Sequence, residues 1–188
     1  MQAQAQSAWA TFYEGRHGDD YLNYAKQRYA PFICEIAHRI HLGDTVLELG
    51  AGTGTITKAL LEHYPIHPVT FIASDKDKDM RRILSQRFDK SNVSVIDLDA
   101  KRIPTVFADV VHSHGMLEHF DDHTIRDVIR AHSHARVQVH YVPGLYDEPT
   151  FGDERLLPAE AWMDICAPEQ IIKFNDGLDY ALIFERRK

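Results

Sequence analysis

The stretch Val46-Leu47-Glu48-Leu49-Gly50-Ala51-Gly52-Thr53-Gly54-Thr55-Ile56-Thr57 decides the fold. Its apolar start reads as a short buried strand, and the three glycines that follow end it and turn the chain into a helix. Glycines at 50, 52 and 54 allow a sharp turn and a close backbone approach to a ligand, because no Cβ stands in the way. The first N–H groups of the helix opening near Thr53 or Gly54 have no partner within it, so they suit an anionic group beyond the turn. The spacing is Gly-x-Gly-x-Gly, which differs from the Gly-x-Gly-x-x-Gly of dinucleotide-binding proteins and disfavours a nicotinamide oxidoreductase.

Outward from this turn, strands and helices alternate. The strand at Thr45–Leu49 is followed by a helix to about His63, stopped by Pro65. Val69–Ser74 is a second strand ending at Asp75, with a helix from Asp77 to Phe88. Val93–Ile96 and Val106–His112 read as strands three and four, and Arg136–Val142 as a fifth, stopped by Pro143-Gly144. Asp121 and Asp122 have the chemistry of helix N-caps for a segment through His132. A loop-rich stretch, 143–158, precedes a helix over Pro158–Cys166. Gln170–Phe174 and Tyr180–Glu185 then flank Asn175-Asp176-Gly177, a hairpin signal. This order predicts an α/β fold: a Rossmann-like, seven-stranded, mostly parallel sheet with one antiparallel strand and helices on both faces. Residues 7–41 read as aromatic-rich helices broken at Gly15–Asp20, with Pro31 opening or kinking a third. The expected organisation is an N-terminal helical lid, 1–42, on a compact domain, 43–188.

Length and composition bound the function. A chain of 188 residues, 44% hydrophobic and 26% charged, suits one globular domain with a sizeable core. A formal net charge of −7 argues against non-specific binding to nucleic-acid phosphates. The two cysteines, Cys34 and Cys166, have no metal-finger spacing, and the start of the chain shows neither a signal peptide nor an apolar run. A cytoplasmic protein without membrane or nucleic-acid partners is expected, and a homodimer is compatible with these bounds.

With Glu48, the glycine turn resembles motif I, (Asp/Glu)-x-Gly-x-Gly-x-Gly, of the class I S-adenosylmethionine-dependent methyltransferases, and the resemblance extends over roughly residues 43–187. It implies S-adenosylmethionine as cofactor and S-adenosylhomocysteine as product. It implies that Glu48, Gly50, Gly52 and Gly54 surround the methionine end and that Asp75 accepts from both ribose hydroxyls. Met80 would touch the adenine, and Asp99 with the Ala100 N–H would meet its amino edge, Asp97 being the rival by register. Ala108-Asp109-Val110-Val111-His112-Ser113-His114-Gly115-Met116-Leu117-Glu118-His119-Phe120 is similar to the Asp-x-Val-x-Ser-x-x-x-Leu-x-His segment of small-molecule methyltransferases, and Ser113 joins the implied cofactor contacts. The Pro-Pro-aromatic motif of amino-methylating nucleic-acid enzymes, the cysteine nucleophile of cytosine-C5 enzymes and the carboxylate cluster of the catechol type are all missing here. The resemblance therefore implies metal-independent methylation of an oxygen or nitrogen on a small molecule.

That transfer needs alignment and exclusion of water, and a base only where the acceptor is protonated. His119 is the first candidate base, since an imidazole titrates near neutrality, and His114 the second. His112, His114, His119 and His123 have the chemistry of zinc ligands, but they fall on a strand end, a loop and a helix cap, so no metal is expected. His132, His134 and His140 are expected at the surface. Tyr13 and Tyr21 are expected to close over the cofactor, Arg28 to reach its carboxylate or an acidic substrate, and Asp153-Glu154-Arg155 to face the substrate. His17 is a weaker candidate for the lid. The rival readings are a cofactor-binding accessory subunit without turnover, a nicotinamide oxidoreductase, and methylation of RNA or protein.

Overall fold

The computed structural model describes residues 7–14, 16, 18–64, 68–102, 107–147 and 153–186. Three short helices come first: α1 (Ala8–Phe12), α2 (Asp19–Arg28) and α3 (Ala30–Ala37). Then follow β1 (Thr45–Leu49), α4 (Thr55–His63), β2 (Thr70–Asp75), α5 (Lys78–Arg87), β3 (Val93–Asp97) and β4 (Val110–His114). A 3-10 turn at Leu117–His119 leads to α6 (Asp122–Ala131), β5 (Val137–Pro143), α7 (Ala159–Cys166), β6 (Gln170–Phe174) and β7 (Asp179–Glu185). The caps follow from sequence. Ser7, Asp77 and Asp121 each accept a backbone N–H from the first turn of α1, α5 and α6, which satisfies donors that the helix leaves open. Pro31 sits in the first turn of α3, where its missing N–H costs nothing.

The seven strands form one sheet in the order β3-β2-β1-β4-β5-β7-β6. All pairings are parallel except those of β7, which runs antiparallel to both β5 and β6. Asn175, Asp176 and Gly177 all take positive φ in the β6–β7 turn, so the hairpin signal has its expected geometry. Strand order reverses between β1 and β4, and a crevice opens at their carboxyl ends, where such sheets bind ligands. Strand β4 runs from Val110 to His114, and Val106, its expected start, lies outside the described residues; Asp109 takes the Thr45 N–H on its carboxylate at 2.9 Å. Among the described residues no helix lies between β3 and β4.

Two apolar layers hold the sheet. Phe32, Ile36, Ile56 and Leu60 from α3 and α4 pack on Val46, Phe71, Val110 and Val139. On the other face, Ile125, Val128 and Trp162 from α6 and α7 pack on Leu47, Val111 and Leu182. The alternation of β4 and β5 carries two histidines indoors, and a third is buried beside them. His112 and His140 are fully buried, and so is His132 at the end of α6. The expectation that His132 and His140 lie at the surface is therefore wrong. His140 points inward because it alternates with Val139 and Tyr141 on a strand buried on both faces, and it bonds Ser113 Oγ and Gln138 Oε1 at 2.8 and 3.2 Å. His132 Nε2 meets the Ala100 carbonyl at 3.2 Å.

His112 has no partner at either ring nitrogen, and burial holds its pKa down at about 3. In the unfolded chain an imidazole takes up a proton below about pH 6.5, while the folded ring stays neutral to about pH 3. The unfolded state thus binds more protons in that window, and stability falls as pH falls through it. Replacing His112 with Leu, close in volume, removes two unsatisfied polar atoms and should stabilise the fold by about 1 kcal/mol. Thermal melts at pH 7 and pH 5 check this: the gain in melting temperature should be larger at pH 5. Equal or lower melting temperatures for the variant would show that the ring has a partner.

Candidate active site

The glycine turn lies between β1 and α4 and is held from three sides. Gly52 N–H donates to Asp75 Oδ2 at 3.0 Å, Ala51 N–H to the Ser74 carbonyl at 2.8 Å, and Arg87 from α5 to the Thr53 carbonyl at 2.8 Å. Gly50, Gly52 and Gly54 all have φ between +54 and +72, a conformation that costs other residues about 1–3 kcal/mol. At Gly54 a Cβ would also lie 2.6 Å from the Phe88 ring, so α5 closes on this point. At Gly52 the nearest atoms belong to the Tyr13 ring, at 3.6 Å from a would-be Cβ. The Tyr13 ring thus faces bare backbone across the turn.

Glu48 is buried, and its Oε2 accepts from the Thr57 N–H at 3.1 Å and the Thr57 hydroxyl at 2.5 Å. It therefore caps the first turn of α4 from below. Burial raises its pKa to about 7, against the lowering effect of the Thr57 bonds. It faces a small cleft beneath Tyr13, Tyr21 and Tyr29.

Two larger cavities meet at the carboxyl ends of the strands. The first, about 250 Å³, runs from Gly50 and Gly52 past Asp75 and Met80 to Leu98, Asp99 and Ala100. Asp75 holds Gly52 N–H on one oxygen and Asp77 N–H on the other, at 3.0 and 2.9 Å. A carboxylate has about four acceptor sites, so it can still take two hydroxyl donors. Asp99 lines this cavity, whereas Asp97 is exposed and paired with Arg81 at 3.0 Å. Apolar Met80, Leu98 and Ala100 beside an acceptor carboxylate suit a flat heteroaromatic ring with an exocyclic amine.

The second cavity, about 430 Å³, lies under α1 and α2 and the loop after β5. Tyr21, Arg28, Tyr141, Tyr146 and Glu154 line it, so the structure brings together the N-terminal aromatics and that loop. Trp9, Tyr13, His114, Gly115 and His119 line both cavities and form their common wall. His119 Nδ1 lies 2.6 Å from Asp153 Oδ1 and its ring meets Trp9 edge-on at 5.0 Å. His114 stacks on Tyr141 with ring centroids 4.4 Å apart. Burial lowers its pKa to about 4, leaving it uncharged and only weakly basic at neutral pH.

Some expected residues go elsewhere. Ser113 points to the opposite face of the sheet and bonds His140, because it is one residue out of phase with His112 and His114; it lines neither cavity. Arg28 does not reach the glycine turn. It pairs with buried Asp179 at 2.8 Å and with the Tyr146 hydroxyl, on the wall of the second cavity. Arg155 turns back to Asp122 and the Phe120 carbonyl, at 2.6 and 2.8 Å, and straps its loop to the 3-10 turn. His123 is exposed and paired with Asp127. His17 lies outside the described residues. No group of three or more His, Cys, Asp or Glu among the described residues is arranged to hold a metal. Glu118 was missed in the sequence, although it is buried in the wall of the second cavity. Its place beside His119 was the available signal.

Known proteins agree with this geometry. Residues 46–136 match the family described as Methyltransferase domain. Over 94 residues the chain is 33% identical to an ornithine lipid N-methyltransferase from Singulisphaera acidiphila, an alignment covering 45% of this chain and 48% of the other. The chain thus spans about half the length of the curated relative it matches. A chain from the Haloferax volcanii complex between the Trm112 methyltransferase activator and a putative methyltransferase shares the fold, with a TM-score of 0.71, 12% identity and coverage of 99% and 100% of the two chains. Human N-acetylserotonin methyltransferase, solved with S-adenosylmethionine, superposes with a TM-score of 0.67 at 12% identity, covering 99% of this chain and 61% of that one. Sheet order, glycine turn and family match converge: residues 46–136 match the methyltransferase domain on a fold shared with solved methyltransferases.

Proposed function

We propose that the chain transfers a methyl group from S-adenosylmethionine to a nitrogen or oxygen of a small molecule, without a metal. The observation that carries this reading is the pair of cavities sharing one wall, the first lined by Gly50, Gly52, Asp75 and Asp99 and the second by aromatic side chains. The cradle fits the cofactor: backbone without Cβ at the turn, spare acceptor sites on Asp75, and an apolar slot closed by Asp99. Asp75 would hold the ribose, Asp99 the adenine amino group, and Met80, Leu98 and Ala100 the ring faces. When bound, the cofactor supplies a methyl group on a positively charged sulfur, already activated for transfer. The chain's own part is then to orient, to exclude water and to manage one proton. Helices α1 and α2 act as the lid, with Tyr13 over Gly52, while α3 anchors them to the sheet. Asp153 accepts from His119 Nδ1–H, which makes Nε2 the basic atom that takes the acceptor's proton.

A cavity of about 430 Å³ suits a metabolite and not a polymer. The name of the Singulisphaera relative, an N-methyltransferase, supports nitrogen as the methylated atom. The two free cysteines, Cys34 and Cys166, fit a cytoplasmic setting, and no helix among the described residues is long and apolar enough to cross a membrane.

Asp75→Ala should weaken S-adenosylhomocysteine binding by about 1–3 kcal/mol, roughly 5- to 150-fold, by removing the ribose acceptor. Calorimetry on the variant checks it; unchanged affinity would refute the ribose role. The function itself is tested by incubating the protein with methyl-labelled S-adenosylmethionine and a panel of amines and phenols. Label appearing in an acceptor supports the reading. Cofactor binding without label in any acceptor would favour an accessory role.

A further inference from the structure

The wall of the second cavity contains a carboxyl group that the proton transfer proposed for His119 leaves unused. Glu118 is 3% exposed, lines the cavity, and its Oε2 has no hydrogen-bond partner. A Cβ at Gly115 would come within 3.3 Å of Oε1, and Gly115 lines both cavities. The carboxyl therefore stands at their common wall. Burying a carboxyl oxygen without a partner is costly, and packing alone does not require it.

The surroundings select the sign of a ligand. Asp153 and Glu154, on the loop after β5, repel negative charge at Glu118, and with burial as the larger cause they push its pKa up to about 8. His114 is uncharged at neutral pH. Tyr13 and Tyr29 are neutral phenols, their pKa values raised by burial. The two guanidiniums on this cavity are engaged: Arg28 with Asp179, and Arg16 over the Phe12 ring at 4.1 Å. The site thus offers ring faces and a carboxyl oxygen without a hydrogen-bond partner, and among the described residues its two guanidiniums are engaged.

We infer that the second cavity is a seat for a small-molecule amine, with Glu118 receiving the ammonium group and Trp9, Tyr13, Tyr21, Tyr29 and Tyr141 forming its walls. Ring faces attract cations, and a carboxylate pairs with an ammonium. A ligand carboxylate would meet three acids. An alcohol would gain nothing from the rings' charge preference. This inference deepens the methyltransferase reading and rests on it for the neighbouring cofactor.

It carries a proton balance. Below about pH 8 the empty seat holds Glu118 as the neutral acid, and a free alkylamine is an ammonium. Pairing them expels one proton, leaving either carboxylate with ammonium or carboxylic acid with neutral amine. In the second form the nitrogen lone pair is available for methylation and Glu118 holds the proton.

The test is calorimetry at pH 7, with and without S-adenosylhomocysteine, in two buffers of different ionisation enthalpy. The probes are phenethylamine, 2-phenylethanol and phenylacetate. The amine should bind at least about tenfold tighter than either analogue and release close to one proton. Glu118→Gln should abolish both the preference and the proton release while keeping the affinity for S-adenosylhomocysteine. Equal binding of amine and alcohol, no binding of the amine, or an undiminished preference in the variant would overturn the inference. The wild-type comparison stands even if the variant does not fold. Failure of S-adenosylhomocysteine to bind would instead count against the methyltransferase reading, because amine preference is read separately.

Discussion

Gly52→Val should lose S-adenosylhomocysteine binding by at least about 100-fold while the protein still melts cooperatively. Gly52 has φ +54, and its N–H is fixed on Asp75. A valine there is strained by about 1–3 kcal/mol, which most domains survive. Its Cβ would stand 3.6 Å from the Tyr13 ring, an ordinary contact, so the methyl groups project into the gap between turn and lid. That gap is part of the cavity lined by Gly50, Gly52 and Asp75, so the ligand and the side chain compete for it. Gly54→Val is the informative comparison. Its Cβ would collide with Phe88 at 2.6 Å and Leu84 at 2.8 Å, so it should unfold the domain as well as abolish binding. Calorimetry and thermal melts on the two variants separate binding space from packing space. Unchanged affinity in Gly52→Val would mean that the cofactor does not approach the turn.

His119→Ala should lower kcat by about 10²-fold or more with little change in S-adenosylhomocysteine affinity, the usual range for a lost general base. The effect arises at the acceptor's proton, so it should shrink for acceptors that are already deprotonated at the assay pH. Asp153→Asn should give a smaller loss of the same kind, because it acts through His119: the carboxylate at 2.6 Å orients Nδ1, and an amide does so less well. Single-turnover rates against pH, measured for wild type and both variants, check the pair. Equal rates in His119→Ala would reduce the residue to a packing partner of Trp9.

What could be read in the chain divides along a physical line. The glycine turn, Asp75 and the β6–β7 hairpin were legible because each is a local feature: consecutive residues whose backbone needs are written in their own types. The strands were legible from apolar runs between turn residues, although β4, read as Val106–His112, runs from Val110 to His114. Asp99 was preferred to Asp97 by resemblance alone; the physical reason, that Asp97 ends β3 and is claimed by Arg81 brought over by α5, is not local. Arg28 was misplaced for the same reason: its partner Asp179 is buried at the start of β7, and no spacing rule links the two. Ser113 and His140 were misjudged by reading side-chain chemistry ahead of strand phase. Glu118 was overlooked because a glutamate in a turn is ordinarily solvated. Its burial comes from distant parts of the chain, such as the loop whose Arg155 N–H bonds the Glu118 carbonyl.

Titration of S-adenosylhomocysteine into the purified protein, with S-adenosylmethionine alongside and NAD as control, tests the central claim most directly. One-to-one binding on the order of micromolar for both sulfur compounds, with no heat from NAD, is the predicted result. NAD binding, or no binding of either sulfur compound, would contradict it.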